Sequence, residues 1–144
     1  MSVFTLSELD YLSGERRLAR LATIGIDGTP HVTPVGWALD PEADVIEVGG
    51  HHLSATKKFR DVTATGRAAL VIDDVLPPWQ PRGIEVRGRA EAVDGPTPRI
   101  RIHPERIVSW GLEDGRRHAR NVQRATSSPD GGELGPTAPP EDAR

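Results

Sequence analysis

Arg17–Asp40, RLARLATIGIDGTPHVTPVGWALD, decides the fold class. Apolar residues alternate with polar or small ones on both sides of Gly25-Ile26-Asp27-Gly28, and Asp-Gly supplies the positive φ that tight turns require. The stretch therefore reads as a strand from Arg17 to Ile24, a turn, and a second strand from Pro30 to Leu39. Asp40-Pro41-Glu42-Ala43-Asp44 is a further turn, and Val45–Val48 a third strand. Three strands on short connections predict an antiparallel meander.

Working outward, Thr5-Leu6-Ser7-Glu8 fits the capping box, in which a threonine and a glutamate three residues on satisfy each other's orphan amides. A short helix over Ser7–Ser13 follows, ended by Gly14. Past the third strand the period changes. Ala55, Phe59 and Val62 fall on one helical face within Ser54–Thr65, and Gly66 stands where a glycine cap belongs. A fourth strand, Ala68–Asp73, leads to the rigid loop Pro77-Pro78-Trp79-Gln80-Pro81. Ile84, Val86, Gly88 and Ala90 alternate with charged residues in a fifth strand, which Pro96 and Pro98 interrupt. Ile100 and Ile102 start a sixth, and Pro104–Leu112 reads as either strand or helix. Periodicity alone predicts a mainly β barrel or sandwich with one or two helices.

At 144 residues the chain fits one domain. The expected division is a folded unit over 1–124 and a disordered acidic Pro/Gly-rich tail over 125–144. The tail holds Asp130, Glu133, Glu141 and Asp142 against one arginine, so it carries the whole formal charge of −3 and the body is neutral. A strongly basic nucleic-acid binder is thereby excluded. With no cysteine, disulfides, thiolate nucleophiles and Cys-based zinc sites are excluded as well. No apolar run approaches the roughly 20 residues that cross a bilayer. The first residues carry Glu8 and Asp10 and no basic region, so a cytoplasmic protein with no membrane partner is expected.

Lys57 and Lys58 are the only lysines, against sixteen arginines. With Ser54 and Thr56 they fall in the first turn of the second predicted helix. A helix start presents free N–H groups and partial positive charge, which suits an anion such as phosphate. The plainer reading is two solvated lysines beginning a helix. His31, His51, His52, His103 and His118 show no metal-ligand spacing, and no metal site is expected. His51 and His52 are of interest for lying beside the phosphate turn. Walker A, Gly-x-Ser-x-Gly and dinucleotide loops are absent. Asp73-Asp74 and Glu113-Asp114 read as solvated or capping residues. The basic run Arg116–Arg124 could contact RNA or an anionic ligand tail, but without interleaved aromatics it reads rather as a solvated helix face. Trp79, flanked by prolines, is the tryptophan best placed to cover a flat ligand or a neighbouring subunit.

Taken together, RLARLATIGIDGTPHVTPVGWALD, VIEVGGHHLSATKKFRDVTATGRAALVID (45–73) and PPWQPRGIEVRGRAEAV (77–93) resemble the pyridoxamine 5′-phosphate oxidase-like superfamily. With the ending IRIHPERIVSWGL (100–112), residues 5–120 look most like its actinobacterial F420-dependent branch. The resemblance implies a six-stranded antiparallel split β-barrel of the FMN-binding type, a homodimer with two cofactors at its interface. Val32, Thr33, Pro34, Val35, Gly36 and Trp37 would line the tricyclic ring. Gly50, His51, Thr56, Lys57 and Lys58 would surround the phosphate. Trp79 to Arg82 would reach the ring from the other subunit. The implied cofactor is coenzyme F420, with FMN as the alternative. The implied activity is hydride transfer to a small unsaturated or quinone-like molecule. No catalytic residue is implied, because hydride chemistry belongs to the cofactor. Vitamin B6 oxidation is not expected, since Arg106 and Arg116-Arg117 are the only candidates for a C-terminal substrate-phosphate set.

Overall fold

The computed structural model describes residues 1–123. Helix α1 (Leu6–Ser13) is followed by β1 (Ala19–Ile24), β2 (Pro30–Val35), β3 (Trp37–Asp40) and β4 (Val45–Val48). A 3₁₀ turn (Leu53–Ala55) leads into α2 (Lys57–Thr65). The chain then completes β5 (Arg67–Leu76), β6 (Gln80–Val93), β7 (Arg99–Trp110) and β8 (Arg117–Asn121). The expected tail over 125–144, and Arg124, lie outside the described residues. No helix among the described residues is long and apolar enough to cross a membrane.

All strands pair antiparallel in one curled sheet of order β2-β1-β5-β6-β7-β4-β3. β4 takes the first part of β7, at Ile100–Ile102, and β8 takes the last, at Arg106–Trp110. Burial alternates along β1, β5 and β6, so one face of each strand turns inward. Leu21, Leu70, Ile72, Ile84, Val86, Ile100, Ile102 and Ile107 fill the interior, each at most 1% exposed. This is a split β-barrel, as the resemblance implies.

Eight strands stand where six were expected. The predicted second strand breaks at Gly36: β2 pairs with β1, whereas β3 pairs with β4. The meander is corrected accordingly. β2 and β3 do not pair, and β1 takes β5 as its second neighbour. The chain crosses from one edge of the sheet to the other within a single residue, so the two edge strands are consecutive in sequence and the curled sheet returns on itself there. The second correction concerns Arg116–Arg124. Arg117–Asn121 is strand β8, not a helix face, because Trp110 and Arg117 close an antiparallel pair around the turn between them. Gly111 and Gly115, at φ 69° and 75°, supply the left-handed backbone of that turn. Pro104–Trp110, left between strand and helix by its pattern, continues β7.

Both helices are set by their caps. Thr5 Oγ1 accepts from Glu8 N (3.2 Å) and Glu8 Oε1 accepts from Thr5 N (2.9 Å), the predicted capping box. Gly66 closes α2 at φ 68°, with its N–H on Val62 O. Phe59 and Val62 turn inward and seat α2 against β1 and β6.

Candidate functional site

The start of α2 is built by Thr56. At φ −87° and ψ 159° it is extended, its hydroxyl accepts from Phe59 N (3.3 Å), and it donates to Leu53 O (2.6 Å). Thr56 is therefore the N-cap, and Lys57 and Lys58 are the first two helical residues. Their N–H groups precede any intrahelical acceptor. Upstream, Gly50 at φ 150° and His52 at φ 52° bend the chain out of β4 into the 3₁₀ turn. The rings of the exposed His51 and His52 lie 6.4 Å apart and tilted, which is no chelating arrangement. Among the described residues no group of three or more His, Cys, Asp or Glu could hold a metal ion.

The two lysines differ sharply in surroundings. Lys57 Nζ lies 3.0 Å from Asp61 Oδ1 and 3.3 Å from Oδ2, one helical turn on. Asp61 is 5% exposed, and Thr23 Oγ1 on β1 donates to its Oδ2 at 2.8 Å. Burial pushes the Asp61 carboxyl up, but the hydrogen bonds from Lys57 and Thr23 outweigh it and hold it below the usual carboxylate range. The ammonium also crowds the β1–β2 turn: a Cβ on Gly25 would lie 3.2 Å from Nζ and 3.0 Å from Asp27 Oδ1. Lys58 is half-buried and has no acidic partner among the described residues.

The other residues singled out from the sequence fall in three places. On β2, Val32 is 67% exposed and Pro34 and Gly36 face outward too, while Thr33 is half-buried. Val35 and Trp37 point into the core, each 6% exposed, and Trp37 Nε1 donates to Arg17 O at 2.6 Å. Any contact of these two with a ligand is thus made by backbone or ring edge. Gly36, Trp37 and Gly50 share a groove of about 400 Å³ with Arg16, Gly49 and Arg99. Trp79 and Arg82 belong to the β5–β6 hairpin. Its tip lies at the Leu76 end of β5, whereas β1 and α2 meet the Ala68 end, roughly 25 Å away at strand rise. Within one protomer, then, Trp79 and the lysine pair do not meet. Trp79 is 74% exposed. Arg82 is committed to Asp74 through Nε (2.8 Å) and Nη2 (3.0 Å), and Asp74 also accepts from Tyr11 Oη (2.9 Å). The Arg82 guanidinium, with Tyr11 and Arg17, holds the Asp74 carboxyl well below its ordinary range.

Thr23, Asp61, Arg16 and Arg99 were not among the residues anticipated. The Lys57–Asp61 spacing of i, i+4 was a readable signal. Thr23 was not, because its contact with Asp61 spans 38 residues of sequence.

The curled antiparallel sheet, closed on itself at Gly36 with α2 seated against β1 and β6, defines a split-barrel protein. Residues 7–127 match the pyridoxamine 5′-phosphate oxidase family. The chain belongs to that family of oxidoreductases. A curated relative, the 5a,11a-dehydrotetracycline/5a,11a-dehydrooxytetracycline reductase of Streptomyces rimosus subsp. rimosus, is 40% identical over 121 residues, spanning 76% of this chain and 84% of the relative. Two solved structures share the fold. The FAD binding protein from Mycobacterium smegmatis has a TM-score of 0.58 at 22% identity, over 80% of this chain and 95% of that one. A structure described as an F420 reductase has a TM-score of 0.52 at 20% identity, over 68% and 94%.

Proposed function

We propose that the protein is a reductase that binds coenzyme F420 and transfers a hydride between the deazaflavin and a small unsaturated or quinone-like substrate. The observation that carries this reading is the start of α2. Two lysines, two free N–H groups and a threonine cap converge there beside the β1–β2 hairpin, and such a donor set fits the phosphate of a flavin-type cofactor. The family membership names the class of chemistry, and the 40% relative acts as a reductase on a dehydro compound, that is, on a carbon–carbon double bond.

When bound, the cofactor supplies the hydride. The chain's own residues bind and orient it. The amides of Lys57 and Lys58 and the lysine charge hold the phosphate. The outward face of β2, at Val32 and Pro34, offers an apolar wall to the ring, and the backbone around Gly36 lies open to a close approach. Val35 and Trp37, buried behind that face, pack the wall against the core.

The protein acts as a homodimer in this reading. Val32, Ala22, Ala69 and Val71 form an outward apolar patch on β2, β1 and β5, and Trp79 projects fully into solvent. A second copy would cover both and bring Trp79 to the ring. FMN is the alternative cofactor, and a non-catalytic carrier the alternative role. F420 differs from FMN by an acidic oligoglutamate tail. Arg120 is tied to Glu8 and Arg116-Arg117 lie at the far end of the sheet, so within one protomer the tail's nearest cation along the chain is the exposed Arg60.

Titration of the purified protein with F420 and with FMN, followed by fluorescence, tests the assignment. F420 binding at micromolar concentration or tighter is expected, with turnover of reduced F420 against a panel of activated alkenes and quinones. Binding of FMN alone would replace the cofactor, and binding without turnover would leave the carrier. Replacing both Lys57 and Lys58 by alanine is expected to weaken cofactor binding by about 1.5–3 kcal/mol, one charged hydrogen bond. Unchanged affinity would move the phosphate elsewhere.

A further inference from the structure

Two grooves meet at Arg16. One, of about 400 Å³, runs past Gly36, where the cofactor ring is proposed to approach. The other, of about 480 Å³, lies between α1 and β3 and has no part in that reading. Arg16, Trp37 and Ala38 line both, so the two form one continuous cleft along β3. We propose that the α1–β3 groove is the substrate side of this cleft, that it takes a flat, largely apolar molecule bearing one acidic oxygen (a carboxylate, phenolate or ionised enol), and that Arg16 binds that oxygen. The inference rests on the reductase reading given above and goes beyond it by naming the substrate's chemistry and the residue that selects it.

The walls set the body of the ligand. Leu9 and Leu12 of α1 line the groove together with Leu39 and Pro41, and no acidic side chain lines it. Its volume falls in the range of small-molecule sites. Arg16 sets the charge. Its Nη2 donates to Trp37 O at 2.6 Å, and its Cζ stands 5.9 Å from the centre of the Trp37 ring. Among the described residues no other hydrogen bond and no ion pair engages it. The second cation of the cleft, Arg99, is by contrast matched by Glu47 at 3.4 Å. Arg16 is thus held in place through one N–H group, with its charge and its remaining donors uncompensated. A side chain already held loses little entropy on meeting an anion, and the planar guanidinium suits two oxygens in one plane. An apolar body docked beside it displaces water and strengthens the contact.

The competing role is purely structural: Arg16 would only tie the α1–β1 connection to β3. Its loss would then loosen the cleft for charged and neutral ligands alike.

Calorimetric titration of the purified full chain with 2-naphthoate and with 2-naphthamide separates the two roles, because these probes share a ring body and differ in the acidic oxygen. The carboxylate is expected to bind about tenfold more tightly than the amide. Arg16→Met is expected to remove that preference while changing 2-naphthamide affinity by less than about twofold, and Arg16→Lys to restore part of it. Ala38→Trp, at an exposed position shared by both grooves, is expected to abolish binding of both probes. Saturating F420 is expected to leave 2-naphthoate affinity within about twofold, since uncoupled sites leave each other's affinity unchanged. Equal affinity of the parent for the two probes, binding of neither, an equal loss of both in Arg16→Met, or unchanged binding in Ala38→Trp overturns the proposal. Displacement of 2-naphthoate by F420 overturns it as well, because the groove would then belong to the cofactor's own site. The probe titrations contain no cofactor, so a failure of F420 to bind removes the cofactor reading while the naphthoate preference still tests the Arg16 site.

Discussion

Replacing Arg120 by methionine is expected to destabilise the protein by about 3 kcal/mol, measured as a fall in the denaturant midpoint. Glu8 is 1% exposed and carries a full carboxylate. Arg120 grips it from β8 through Nη1 to Oε2 (2.9 Å) and Nη2 to Oε1 (2.7 Å), and Nη2 also reaches Val3 O (2.7 Å). Removing the guanidinium leaves a buried charge with only the Thr5 amide and the Ser109 hydroxyl near it. The effect falls at the lower end of the range for broken buried pairs because Arg120 is a third exposed and water can partly replace it. The same contact sets an acid limit. Burial raises the Glu8 carboxyl, but the hydrogen bonds from Arg120, Thr5 N and Ser109 outweigh it and leave it lowered in the fold. Its stabilisation is therefore complete above the ordinary glutamate value of about 4.3 and is lost as pH falls through the lowered one. Asp74, lowered first by Arg82, acts in the same direction. Arg120→Met is expected to flatten the acid limb of the stability profile. An unchanged limb would mean that Glu8 does not contribute to it.

Gly88→Ala is the second large effect, expected to cost about 3 kcal/mol or more and to reduce soluble yield before any loss of cofactor affinity per folded molecule. Gly88 lies opposite Pro104, where the β6–β7 register shifts by a residue. A Cβ there would overlap the His103 carbonyl oxygen and press on the Glu105 amide at 3.0 Å. Both are backbone atoms of the neighbouring strand, so no side-chain rotation relieves the clash. The bulge exists because Pro104 cannot donate to the ladder, and the missing side chain at Gly88 lets the displaced backbone close in. By contrast, a Cβ on Gly36 meets nothing within 4 Å, so Gly36→Ala serves as the matched control for stability and yield alone. A Gly88→Ala protein as stable as the parent would show that the two strands can separate at the bulge.

What the sequence announced follows from how local each signal is. The capping box, the glycine end of α2 and the Asp-Gly hairpin were readable because each involves residues within four positions of one another. The placement of the lysines at the start of α2 was readable for the same reason, since a cap and a helix start are local events. The partner of β1 was not. Arg17–Asp40 contains everything needed for a meander, and only the burial of Leu70 and Ile72 against Leu21 draws β5 to β1 instead. Arg116–Arg120 misled because alternating charge on a half-exposed strand has no apolar face to betray its period. Arg82 was anticipated as a ligand contact, yet its guanidinium is held by an aspartate eight residues away across a hairpin. Whether Trp79 meets the ring is a property of two chains and cannot be written in the periodicity of one.

The single-residue crossing at Gly36 carries a mechanical consequence. Seven ladders hold the eight strands, yet the gap between β2 and β3 is spanned only by covalent chain, with the Arg16 Nη2 bond to Trp37 O (2.6 Å) as its nearest staple. The barrel thus behaves like a bracelet whose clasp is one link with no side chain. Widening the clasp alters two torsions and breaks no ladder bond, while narrowing it presses Val35 and Trp37 deeper into the core. Any opening of the wall starts along that line, beside the residues we propose for the ring, because the other strand junctions are hydrogen-bonded ladders.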